Sequence, residues 1–68
     1  MIYNSMNLRI TTYDYVGRAS VTFQRTDCFS DLVETILDRI SPGGKVHRQT
    51  ESLIKYTIGS WTKEIEVV

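Results

Sequence analysis

Between residues 29 and 40 the chain repeats its apolar side chains with the period of an α-helix. Phe29, Leu32, Val33, Ile36, Leu37 and Ile40 fall at i, i+3, i+4, i+7, i+8 and i+11, which draws one apolar stripe along three turns. A helix this short does not hold its shape alone, so the stripe needs a surface to lie on. Thr26 or Asp27 is placed to cap its first amides. It stops at Pro42 and Gly43, since proline disfavours the α conformation of Ser41 and glycine tolerates a left-handed cap.

The flanking segments supply that surface. Residues 7–13, NLRITTY, alternate with period two and are rich in β-branched residues. Residues 14–18, DYVGR, carry turn chemistry at Asp14 and Gly17, and 19–25 alternate again, with Ala19, Val21 and Phe23 expected inward. After the helix come strands at 45–50, at 52–58 with Ile54, Tyr56 and Ile58 inward, and at 61–68. In the last, Ile65 and Val67 share one face and Glu64 and Glu66 the other, and Gly59-Ser60 makes the turn before it. The fold class is α+β: one helix on one face of a mostly antiparallel sheet, in the order β-β-α-β-β(-β). The other sheet face stays open, with Arg9, Thr11, Tyr13, Thr22, Gln24, Lys55 and Thr57 expected on it. The terminal EIEVV, 64–68, is expected to offer a strand edge.

All 68 residues read as a single small domain, irregular over 1–6, with Met6 an alternative start because the alternation begins only after it. A domain of this size buries only about 60% of its unfolded surface. One cysteine makes no internal disulfide, and no Cys/His set holds a structural zinc. Stability then rests on one good core or on a partner, a second copy included, which points to a homodimer. No stretch has the length and apolarity of a membrane span or signal peptide, so a cytoplasmic setting and no membrane partner are expected.

The segment SPGGKVHR, 41–48, resembles a phosphate loop only in composition. A phosphate loop runs from a strand into a helix N-terminus, whereas these glycines follow a helix C-terminus, where Lys45 complements the dipole. His47 and Cys28 are the only residues of their kinds, and no third group orients them as a nucleophile pair. No catalytic constellation, cofactor or metal site is expected.

Charge is more informative than its sum. Eight Lys/Arg and eight Asp/Glu cancel, but residues 27–40 hold four acids against Arg39, a net 1 − 4 = −3. Asp27, Asp31, Glu34 and Asp38 form one acidic ridge opposite the apolar stripe. Their spacing along a rigid helix is too wide for one metal coordination sphere. A second set, Arg9, Tyr13, Arg18, Arg25, Lys55, Trp61 and Lys63, combines cations and aromatics on the sheet. The expected function is that of a small non-enzymatic protein-binding module, an inhibitor of the type made by phages and mobile elements. It docks on a larger, basic protein through the acidic ridge, the open sheet face or both. The alternative is a small nucleic-acid-binding protein using the sheet set, against which the missing basic excess speaks.

Overall fold

The structure, a computed structural model, describes residues 5–68. The irregular start expected for 1–6 therefore lies outside the described residues over 1–4, and Met6 opens the first strand. The elements are β1 (Met6–Tyr13), β2 (Ala19–Thr26), α1 (Phe29–Ile40), β3 (Lys45–Gln49), β4 (Leu53–Ile58) and β5 (Trp61–Val67). They form one antiparallel sheet in the order β2-β1-β5-β4-β3. The α+β architecture expected from the periodicities is the one observed. Helix α1 joins the two outermost strands and so crosses the sheet from one edge to the other. The C-terminal strand is not the free edge expected of EIEVV: β5 lies at the centre, paired to β1 on one side and β4 on the other.

The first hairpin sets the register of everything beside it. Gly17 N–H donates to the Asp14 carbonyl and Asp14 N–H to the Arg18 carbonyl, both at 3.0 Å. The Asp14 carboxylate also accepts from the amides of Val16 and Arg18. Gly17 sits at φ 85°, the left-handed position that closes a tight turn with a one-residue bulge. Counting back from this turn, Ile10 faces Thr22, Leu8 faces Gln24 and Arg9 faces Phe23. Directly opposed residues share a sheet face. Because Leu8 and Ile10 are buried under the helix, Thr22 and Gln24 belong to the helix side. Ala19, Val21 and Phe23 therefore lie on the open face. This reverses the inward placement expected for those three and the open-face placement expected for Thr22 and Gln24. A second tight turn joins β4 to β5, with Gly59 at φ 59° and Ile58 opposite Trp61.

The core is a single layer between α1 and the middle strands. Phe29, Val33, Ile36 and Ile40 from the helix close on Leu8, Ile10, Ile54, Tyr56 and Ile65, and Leu8 and Ile54 are fully buried. Ile10, Ile65 and Ile54 stand side by side across β1, β5 and β4. Each such side chain contributes about 1.5–3 kcal/mol on burial. The outer strands lie beyond the helix: β3 is exposed throughout, and β2 at every residue but Thr26.

Both ends of the helix differ in detail from expectation. The N-cap position is Cys28, with no side-chain cap, and Thr26 and Asp27 precede it. Thr26 Oγ1 instead exchanges hydrogen bonds with the Cys28 backbone, a local turn that competes with capping. At the other end Ser41 is extended, as the residue before Pro42 should be. Gly43 takes no left-handed conformation; the glycine that matters is Gly44. Its N–H donates to the Ile40 carbonyl, and a Cβ there would lie 2.8 Å from both that oxygen and Ile40 Cγ1. Around Gly43 there is open space. Gly44→Ala is expected to cost about 1–3 kcal/mol by overpacking, read as a thermal midpoint lower by several degrees, whereas Gly43→Ala leaves it nearly unchanged.

Burial pushes the Tyr56 hydroxyl above its ordinary pKa, an effect the nearby Arg39 charge only opposes. The folded state then holds this proton more tightly than the unfolded chain. The corresponding stability is intact below pH about 10 and is lost as pH rises through the folded value. Denaturant midpoints measured from pH 8 to 11 should fall at the alkaline end, and Tyr56→Phe should flatten that fall. An equal fall in the variant would assign it to other groups.

Candidate functional site

The acidic ridge forms where expected, shortened by one member. Asp31, Glu34 and Asp38 lie on α1 with side chains exposed, on the face opposite Phe29, Val33, Ile36 and Ile40. Asp27 is exposed as well, but it belongs to the β2–α1 connection and leads into the ridge from outside the helix. Among the described residues the ion-pair partners are Arg9 and Glu66, on the far side of the sheet. The ridge carboxylates are thus exposed, with no ion-pair partner among the described residues. Asp31 also favours the helix N-terminus through the dipole, while Glu34 and Asp38 stand beyond its reach.

The sheet set does not assemble as one surface. Arg9, Tyr13 and Arg25 lie on the open face with Lys55, whereas Lys63 faces Thr12 and Tyr56 on the helix side. Trp61, half exposed, is opposite Ile58, also on the helix side. Arg18 stands at the hairpin turn. Beyond the Asn7–Arg25 pair at its end, three transverse rows cross the open face. The first runs Phe23–Arg9–Glu66–Leu53, the second Val21–Thr11–Glu64–Lys55–Arg48, and the third Ala19–Tyr13–Thr62–Thr57–Lys45. Arg9 is hydrogen-bonded to Glu66, and Lys55 stands opposite Glu64. Arg25 is held by Asn7 through its Nε at 3.2 Å.

Summed by face, the charges separate across the sheet. The open face carries Arg9, Arg25, Lys45, Arg48 and Lys55 against Glu64 and Glu66, 5 − 2 = +3, and the helix side carries the −3 of residues 27–40 with Lys63, −3 + 1 = −2. The zero total hides a transverse polarity. Lys45 and Arg48 were not in the sheet set read from sequence, and neither was Phe23, which is 70% exposed on the open face. Counting outward from the Asp14–Gly17 turn would have placed Phe23 correctly.

His47 and Cys28 are kept apart. His47 sits at the register shift of β3, and its Nε2 is 2.6 Å from Thr57 Oγ1, which in turn meets Thr62 Oγ1 at 2.9 Å. That row of hydrogen bonds ties β3, β4 and β5 together on the open face. Cys28 ends the β2–α1 connection with its Sγ 3.2 Å from Ser30 Oγ. A shallow groove between α1 and the β3–β4 connection, lined by Phe29, Val33, Glu34, Leu37 and Thr50 among others, holds neither residue. Among the described residues no three His, Cys, Asp or Glu side chains gather in a metal-binding group, and no helix is long and apolar enough to cross a membrane. Compared with protein families, with curated proteins and with solved structures, the chain matches none.

Proposed function

We propose that this chain is a non-enzymatic protein-binding module that docks its acidic helix face on the basic surface of a larger protein. The observation that carries the reading is the ridge Asp31–Glu34–Asp38 on α1, exposed and, among the described residues, without an ion-pair partner. Like charges one turn apart cost a helix a few tenths of a kcal/mol per pair. A basic partner converts that cost into attraction and steers the encounter. The transverse polarity adds orientation, because a basic surface is drawn to the helix side and repelled by the open face. A module of this kind acts by occupancy. Seated on a groove that normally takes a polyanion, it is an inhibitor, and a phage or mobile-element source fits its size.

The test uses a partner captured from host lysate by the tagged chain after nuclease treatment. Glu34→Lys with Asp38→Lys should weaken that complex by about tenfold or more and leave the circular dichroism spectrum unchanged. Lys55→Ala should bind as wild type. Full affinity in the reversed double variant sinks the helix-face reading.

One observation favours a second reading, single-stranded nucleic acid on the open face. Phe23 is exposed beside Arg25 and Arg9, a stacking group among cations. Glu64 and Glu66 on the central strand oppose it. Anisotropy with a labelled oligonucleotide separates the two readings. Nucleic-acid binding needs a salt-dependent affinity that Phe23→Ala reduces and the helix reversal does not.

A further inference from the structure

The two edges of the sheet are built differently, and the difference identifies an interface. Edge β3 is defended: it is five residues long, carries Lys45 and Arg48, and is broken in register at His47. Those are the usual devices that keep an edge from pairing. Edge β2 has none of them. It is eight residues long, in unbroken register with β1, and carries one charge, Arg25. Its Val21 is 50% exposed and its Phe23 70%. We propose that β2 is a self-association edge, at which two copies of this chain pair antiparallel about a two-fold axis to form one continuous ten-stranded sheet.

The ladder fixes the register of that pairing. In an antiparallel pair, residues turn their N–H and C=O alternately toward and away from the partner strand. The closing pair at Asp14 and Arg18 directs the backbone groups of Ser20, Thr22 and Gln24 toward β1. Ala19, Val21, Phe23 and Arg25 therefore present theirs to the outside. A two-fold axis normal to the sheet at Thr22 brings Val21 opposite Phe23 and Ala19 opposite Arg25, twice each. Four such pairs of two bonds give about eight hydrogen bonds, and a shift of two residues either way loses some of them. The side chains fit the same register. Val21 with Phe23 is a β-branched and aromatic pair, a favoured cross-strand combination.

Charge is complementary as well. Six residues of strand, roughly 20 Å, separate the two Arg25 side chains in this register, so they do not repel. At each end of the ladder Arg18 of one copy comes beside Thr26 and Asp27 of the other, a cation next to an exposed acid. The helices lie on the same side of the joined sheet, leaving both acidic ridges clear. The inference is independent of what the ridges bind.

Sedimentation equilibrium of the whole chain is the first test. The weight-average mass should rise from 7.8 kDa toward 2 × 7.8 = 15.6 kDa with concentration. A chain that stays monomeric at about millimolar concentration, where even a weak pairing would be populated, overturns the proposal. Val21→Pro locates the interface, because the Val21 N–H faces outward and proline is tolerated there in a folded monomer. It should abolish the dimer with the circular dichroism spectrum unchanged, and a variant dimer of wild-type affinity overturns the assignment to β2. The register is read separately in a Cys28→Ser background. Thr22→Cys sets two sulfurs across the axis, where Cα atoms of a non-hydrogen-bonded pair lie about 4.5 Å apart, within disulfide reach. It should oxidise to a covalent dimer at least tenfold faster than Ser20→Cys. Equal rates for the two cysteines reject this register.

Discussion

Everything in this fold depends on one contact, the apolar stripe of α1 laid across Leu8, Ile10, Ile65, Ile54 and Tyr56. The three strands that carry those residues come from both ends of the chain: β1 from the start, β4 and β5 from the end. Beside the sheet hydrogen bonds and the exposed Arg9–Glu66 pair, burial under the helix gives β1 its reason to accept β5 as a neighbour. The same contact explains why α1 must bridge the two outer strands. A helix that leaves β2 and returns to β3 passes over the middle of the sheet, and the middle is where the isoleucines are. Gly44 protects this arrangement by letting the chain turn tightly against Ile40 before β3 begins.

Most of the architecture was legible because two different periods do not overlap in this chain. The helix stripe from Phe29 to Ile40 coincides with α1, and the alternating segments correspond to the five strands within one or two residues. Strand order was not legible. Nothing local in WTKEIEVV distinguishes an edge strand from a central one, and β5 reads as half-polar because its second face, with Glu64 and Glu66, is uncovered rather than because its edge is free. The cap was misplaced for a related reason. Thr26 and Asp27 both have capping chemistry, and Thr26 spends its hydroxyl on the Cys28 backbone instead.

The facing of β2 shows how a reasonable rule fails. Apolar alternation at Ala19, Val21 and Phe23 suggests a buried face, yet an alternating strand specifies its face only where one side is covered. Here the turn decides. The hydrogen bonds of Asp14 and Gly17 lock Leu8 opposite Gln24, and a one-residue slip would be needed to bring Phe23 under the helix. For the candidate surfaces the outcome divides similarly. The acidic ridge follows from helical spacing alone, so the sequence shows it. The sheet set depends on register, and register separates Trp61 and Lys63 from Arg9 and Lys55.

Geometry also explains why β2 is left over. Strands stand about 4.8 Å apart, so five of them span roughly 19 Å, whereas a helix with its side chains is only about 10 Å wide. One helix covers the middle of such a sheet and must leave the margins bare. On β3 the margin is polar and kinked, which suits water. On β2 it is long, regular and apolar on one face, which does not. Exposed Val21 and Phe23 stand outside the core. In the proposed pairing each Val21 lies opposite a Phe23 of the second copy, and the apolar margin that one helix leaves bare is covered by another strand.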